Sequence, residues 1–132
     1  MNGYLLDTNI ALKALTGSDD LPPKIRKAIL AGPNNLSVVS YWEVVLKSMK
    51  GILDVGDPRS WWLDALDQLA ATPLPLRPEH ITGVLALPSL HQDPFDRILI
   101  AQAIAEDLTL VTTDRHIPRY ASMHCRVRFL TN

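Results

Sequence analysis

The sequence predicts a three-layer α/β sandwich around a mostly parallel central sheet. Three short runs of apolar or β-branched residues have strand character, at 4–6, 36–39 and 108–112, and a weaker fourth covers 127–130. Between them the apolar spacing becomes helical. Strands that alternate with helices need crossover connections, which favours parallel strands with helices on the faces of the sheet.

Five helices are predicted from N-cap residues, prolines and apolar residues at helical spacing. In chain order they begin at Pro22-Pro23, after Ser40, after Asp57, at Pro78 and after Asp93. The side chains expected to face the core are, in the same order, Ile25, Ala28 and Ile29; Trp42, Val45, Leu46 and Met49; Trp62, Ala65, Leu66 and Leu69; Ile81, Val84 and Leu85; and Phe95, Ile98, Leu99, Ala101, Ala103 and Ile104.

Length and composition predict one domain over residues 1–132. The chain has 132 residues, a net charge of −1 and 47% hydrophobic residues, which suits one core and argues against disorder. Its single cysteine, Cys125, excludes an internal disulfide framework and a multi-cysteine zinc site. No signal peptide or membrane-length apolar run is present in the sequence, so a cytoplasmic location is expected.

Acidic residues occur where the predicted strands pass into helices. Asp7 directly follows the first strand, Glu43 falls in the first turn after the second, and Asp114 directly follows the third. Asp96 lies in the first turn of the most apolar helix, on the face of that helix that is expected to point inward. Parallel strands bring such junctions to one edge of the sheet, where ligand sites of α/β proteins lie.

Each acid also has a structural explanation, and for Asp96 it is the third position of the helix that Asp93 caps. Asp7 and Asp114 suit helix N-caps, and Ser40-x-x-Glu43 has the spacing of a capping box. Glu43 is also spaced to pair with Lys47, one helical turn later.

Taken together, four converging carboxylates require a counter-charge. Two carboxylates about 5 Å apart repel by roughly 3 kcal/mol at an effective dielectric constant of 20. Oxygen ligands without cysteine or histidine favour Mg²⁺ or Mn²⁺. A divalent ion held in this way suits phosphodiester hydrolysis best.

Four motifs resemble those of PIN-domain ribonucleases, and more closely those of the VapC-type toxins of bacterial type II toxin–antitoxin systems. They are LLDTN at 5–9, SxxE at 40–43, HQDPFDRILIAQA at 91–103 and LVTTD at 110–114, in family order. The resemblance implies a three-layer PIN-like fold and an acidic site for one or two Mg²⁺ or Mn²⁺ ions. Its catalytic and metal-binding residues are expected to be Asp7, Glu43, Asp96 and Asp114, with Asp93 as the N-cap beside them.

Further site residues are predicted beside the four acids. Thr8 and Asn9 are expected to orient water or Asp7, and Thr112 matches the hydroxyl of the family's TxD motif. Four cationic or basic side chains near the acids are candidates for RNA contact, with a structural ion pair or a solvated surface as the alternative: Arg97, Arg115, His116 and Arg119.

The family resemblance also implies an activity and partners. Such a protein cleaves structured RNA, such as tRNA or rRNA loops, with a metal-activated water and leaves a 5′-phosphate. A cognate antitoxin wraps the toxin and inserts a side chain into its acidic cleft, and the toxins commonly form homodimers. A membrane partner is not expected.

Two other functions stay open. A phosphohydrolase with Asp7 as covalent nucleophile normally uses Asp-x-Asp, but Asn9 takes the second position here. A non-catalytic PIN-like interaction module would use its acids only to cap helices.

Overall fold

The computed structural model describes residues 3–17, 21–88, 93–113 and 128–130. These residues form five strands and six helices. In chain order they are β1 (Tyr4–Leu6), α1 (Thr8–Leu15), α2 (Pro23–Ala31), β2 (Asn34–Ser37), α3 (Val38–Met49), α4 (Pro58–Gln68), β3 (Ala71–Leu74), α5 (Pro78–Val84), α6 (Pro94–Ala105), β4 (Thr109–Val111) and β5 (Arg128–Leu130).

The strands form one sheet in the order β3-β2-β1-β4-β5, and each neighbouring pair is parallel. Tyr4 of the central strand pairs with Asn34 on one side and with Thr109 on the other. The chain moves outward from β1 first through β2 and β3, and then through β4 and β5. The order therefore reverses between β1 and β4, where α/β proteins usually bind their ligands.

Side chains of the central strands alternate between two cores, one on each face of the sheet. Leu5 and Leu110 pack in one core, mainly with residues of α6. Leu6 and Val111 pack in the other, with residues of α1, α2, α3 and α4. This alternation is the two-residue period of a strand covered on both faces. It confirms the predicted three-layer sandwich.

The junction between β2 and α3 differs from the prediction. The strand ends at Ser37 and the helix begins at Val38, so the strand was placed two residues too late. Ser37 is the N-cap, and its Oγ accepts a hydrogen bond of 3.0 Å from the Val39 amide. The predicted capping box of Ser40 and Glu43 is therefore wrong, because Glu43 lies in the second turn rather than at the third helical position.

The buried face of α3 was also predicted wrongly. Trp42 and Met49 are 51% and 77% exposed, whereas Val39, Glu43 and Val44 are buried. The helix is apolar around much of its circumference, so periodicity cannot select one stripe. Contact with the core selects the stripe that contains Val44.

Helix α5 likewise turns a different side chain inward. His80 is fully buried, while Ile81 is exposed and Leu85, predicted to be buried, is 88% exposed. His80 Nδ1 accepts a hydrogen bond from the Arg77 amide, and Nε2 lies 2.9 Å from Glu106 Oε2. Both ring nitrogens thus have partners, which allows a polar side chain to take a core position.

Strand β3 was not predicted. Its sequence, ATPL, contains Pro73, which lacks an amide donor and argues against a central strand. The structure places β3 at the edge of the sheet, where proline is tolerated.

The remaining predicted helix starts are confirmed. Helices α2, α4, α5 and α6 each have proline in their first turn, and Asp57 and Asp93 cap α4 and α6. In α4 the structure buries Ala65 and Leu69 as predicted, but it buries Trp61 more fully than Trp62. Within the described ranges, no helix has the length and apolar character needed to cross a membrane.

Gly3 is expected to be essential for the entry into β1. A Cβ atom at this position would lie 2.3 Å from the Pro33 carbonyl oxygen, which accepts the Tyr4 amide hydrogen bond. Gly3→Ala should therefore lower the free energy of unfolding by about 3 kcal/mol, as overpacked sites do. Gly83→Ala is the control, since its Cβ would meet Ala101 at an ordinary 3.5 Å. Equal stability of the two variants in urea would contradict this expectation.

Candidate active site

Asp7 stands at the carboxyl end of the central strand, and backbone and side-chain donors hold it there. Its Oδ1 accepts a hydrogen bond of 2.9 Å from the Ile10 amide, which makes Asp7 the N-cap of α1. Its Oδ2 accepts a hydrogen bond from the Thr112 hydroxyl, just beyond β4. The side chains of Asp7 and Thr112 are buried. The carboxylate of Asp7 is thus fixed where the strand order reverses. Asp7 can cap α1 through Oδ1 and still take part in a ligand site.

Thr8 and Ser40 join the starts of α1 and α3. The Thr8 hydroxyl donates to Ser40 Oγ at 2.9 Å, and both residues are buried. The Thr8 hydroxyl thus bonds to Ser40, although Thr8 was predicted to orient Asp7 or a water. Ser40 was read only as a helix cap in the sequence. Ser40 instead lies inside the first turn of α3, and its hydrogen bond with Thr8 holds in place the helix that carries Glu43.

Glu43 and Lys47 form an ion pair along α3. Lys47 Nζ lies 2.8 Å from Glu43 Oε2, and the two side chains are 39% and 7% exposed. The predicted pairing is therefore present. The hydrogen bond to Glu43 raises the pKa of Lys47; burial opposes this, and the charges of Glu43, Asp93 and Asp96 add to the increase. Lys47 is consequently protonated at neutral pH.

Helix α6 brings two further carboxylates to the same place. Asp93 is the N-cap, as predicted, and its Oδ1 accepts hydrogen bonds from the Phe95 amide at 2.9 Å and the Asp96 amide at 3.4 Å. Asp96 follows in the first turn and is partly buried. Acids at this end of a helix are stabilised by its dipole.

These side chains line one small pocket of about 120 Å³ at the carboxyl end of β1. The lining is almost entirely polar, and its carboxylate, amide and hydroxyl oxygens are the ligands that Mg²⁺ and Mn²⁺ prefer. The donor chemistry therefore fits a hard divalent ion. Among the residues that the structure describes, however, no three acidic, histidine or cysteine side chains already converge as a metal site. The lining consists of Asp7, Thr8, Asn9, Glu43, Lys47, Asp93 and Asp96.

The structure thus brings together three of the four predicted acids. Asp7, Glu43 and Asp96 come from three different elements and line the same pocket, and exposed Asn9 lies beside them. Four other predicted site residues lie outside the described residues: Asp114, Arg115, His116 and Arg119.

Arg97 makes structural contacts on another side of α6. Its guanidinium donates to the backbone carbonyls of Pro88, Val84 and Leu87 at 2.9 to 3.4 Å. These contacts fasten the end of α5 to α6. Arg97 therefore has a structural role through backbone carbonyls, and its contact with RNA phosphate stays a prediction.

The fold is similar to that of solved VapBC and FitAcB structures. One is VapBC2 from Rickettsia felis bound to a promoter DNA fragment, with a TM-score of 0.72, 17% identity and 98% of each chain covered. Another is DNA-bound VapBC from Salmonella typhimurium, with a TM-score of 0.70, 17% identity and coverage of 99% of this chain and 98% of the other. FitAcB from Neisseria gonorrhoeae has a TM-score of 0.60, 20% identity and 96% of each chain covered.

Sequence comparison gives the family. No curated protein matches the chain. The family model for the PIN domain matches residues 4–123, a range that contains all seven residues of the pocket lining. The chain therefore belongs to the PIN-domain family.

Proposed function

We propose that the protein is a Mg²⁺- or Mn²⁺-dependent endoribonuclease. The observation that carries the proposal is the pocket lined by three predicted acids: Asp7 at the end of β1, Glu43 on α3 and Asp96 on α6. Membership of the PIN-domain family supports the same assignment. In the proposed site Asp114 is the fourth acid.

The chain's own residues have distinct tasks in this proposal. Asp7, Glu43 and Asp96 would hold the ion, with the Ile10 amide and the Thr112 hydroxyl fixing the orientation of Asp7. A bound divalent ion would activate a water for attack on the phosphodiester and neutralise the charge that develops on its oxygens. Asn9 is exposed at the pocket and is placed to orient water or substrate.

We further propose that the protein is the toxin of a toxin–antitoxin pair. The full-length structural similarity to VapBC and FitAcB proteins supports this role. Its substrate would be a structured RNA, either tRNA or rRNA. Its protein partners would be a cognate antitoxin, which covers the acidic pocket, and a second copy of the chain in a homodimer.

The test is to express the wild-type protein and Asp96→Asn in a bacterial host and map new RNA 5′ ends. Sharp 5′-phosphate ends in one tRNA or rRNA class are expected with the wild type and should be absent with Asp96→Asn. Asp67→Asn is the control, because Asp67 is exposed on α4 and does not line the pocket. If the folded, metal-loaded wild type without antitoxin yields no new ends, the proposal is wrong and the non-catalytic module is favoured.

A further inference from the structure

Lys47 places an ammonium group at an acidic pocket. Its Nζ lies 2.8 Å from Glu43 Oε2, and Asp7, Asp93 and Asp96 supply further carboxylates to the lining. Among the described residues of the lining, Lys47 is the single cation against four carboxylates.

The Glu43–Lys47 pair differs from an ordinary surface ion pair. Exposed pairs one helical turn apart contribute little because water and salt screen them. Here the Glu43 side chain is only 7% exposed, so its charge is poorly solvated and depends more on a protein partner. Asp93 and Asp96 reach the same pocket from α6. Lys47 therefore reduces repulsion between acids on two helices as well as pairing with its neighbour.

A divalent ion bound at Glu43 Oε2 would compete with Lys47 for that oxygen. A carboxylate oxygen that accepts a short hydrogen bond from an ammonium must give up that bond, at least in part, before it ligates a metal. The positive charge of Lys47 also repels a second cation in the same small pocket. Both effects oppose metal binding, and both weaken as the ammonium moves away from Glu43.

We propose that Lys47 is a counter-ion built into the metal-free pocket, and that a divalent ion must displace it from Glu43 to bind. The inference rests on the metal-dependent function proposed above. It has two opposite consequences: Lys47 stabilises the metal-free protein, and it weakens the affinity of the protein for the ion. Lys47 is thus a positioning residue that sets the ion concentration at which the site is filled.

The experiment compares wild type, Lys47→Met, Lys47→Arg and Lys50→Met. Calorimetric titration with Mn²⁺ alone should show at least tenfold tighter binding to Lys47→Met, equivalent to about 1.4 kcal/mol. Thermal unfolding in EDTA should show a lower Tm for the same variant. Lys47→Arg keeps the charge and should bind Mn²⁺ like the wild type. Lys50 caps the end of α3, is exposed and lies outside the pocket lining, so Lys50→Met should match the wild type in both measurements.

The possible results separate this inference from the proposed function. If the wild type binds Mn²⁺ and Lys47→Met binds it equally or less tightly, the counter-ion inference is wrong while the metal site stands. Weaker RNA binding by that variant would then identify Lys47 as a phosphate contact. If neither protein binds Mn²⁺, both proposals fail. Lys47→Gln, which keeps a polar partner for Glu43, repeats the titration if Lys47→Met does not fold.

Discussion

Asp7→Asn is expected to lower RNA cleavage by at least about a thousandfold, because several kcal/mol of transition-state stabilisation depend on a charged ligand in such sites. The fold should survive the change. Asparagine has the same shape, its oxygen can accept from the Ile10 amide, and its amide can donate to the Thr112 hydroxyl. Only the negative charge at the end of β1 is lost.

The measurement is single-turnover cleavage in Mn²⁺, with thermal unfolding of the same samples. Asp67→Asn, which removes one exposed carboxylate from α4, should retain the wild-type rate and controls for the change in net charge. Cleavage by Asp7→Asn within tenfold of the wild type would contradict a catalytic role for this carboxylate. A large fall in its Tm would show that Asp7 acts mainly as the cap of α1.

The position of Asp7 could be predicted because it depends on topology alone, and Thr112 lies at the matching place on the neighbouring strand. Each residue directly follows a short strand, and neighbouring parallel strands place their carboxyl ends side by side. The contact between the Thr112 hydroxyl and Asp7 was not predicted, because the sequence pattern offered Thr112 only as the hydroxyl of a family motif.

The orientation of α3 could not be predicted in the same way. Trp42 and Met49 have the spacing of a core stripe, yet both are exposed. The helix presents apolar side chains on several sides, and only contact with the core that contains Val44 decides which side is buried. Glu43 still reaches the pocket because α3 begins directly at the end of β2, although it lies one turn later than predicted.

Polar core groups were missed for a related reason. His80 is buried because the Arg77 amide and Glu106 satisfy its ring, and Ser40 is buried with a hydrogen bond from Thr8. Their partners are distant in sequence or lie in the backbone, so no local pattern reveals them. Lys47 had a local signal in its spacing from Glu43. That Asp93 and Asp96 also lie near Lys47 follows only from the tertiary structure.

Thr112→Val is expected to lower cleavage and Mn²⁺ affinity by about 10- to 100-fold, the usual effect of removing a group that orients a metal ligand. Valine keeps the shape of threonine but lacks the hydroxyl that donates to Asp7 Oδ2. Because Thr112 and Asp7 are buried, losing this donor should also destabilise the fold by about 1 to 3 kcal/mol.

Two further variants distinguish positioning of Asp7 from simple loss of stability. Thr112→Ser restores the donor and should recover most of the Mn²⁺ affinity, although it leaves a small cavity. Thr109→Val alters the first residue of β4, for which no side-chain hydrogen bond is described, and should bind Mn²⁺ like the wild type. If Thr112→Val loses stability but binds Mn²⁺ normally, the hydroxyl supports only the fold. Lost affinity that serine restores would instead show that Thr112 acts through the carboxylate of Asp7.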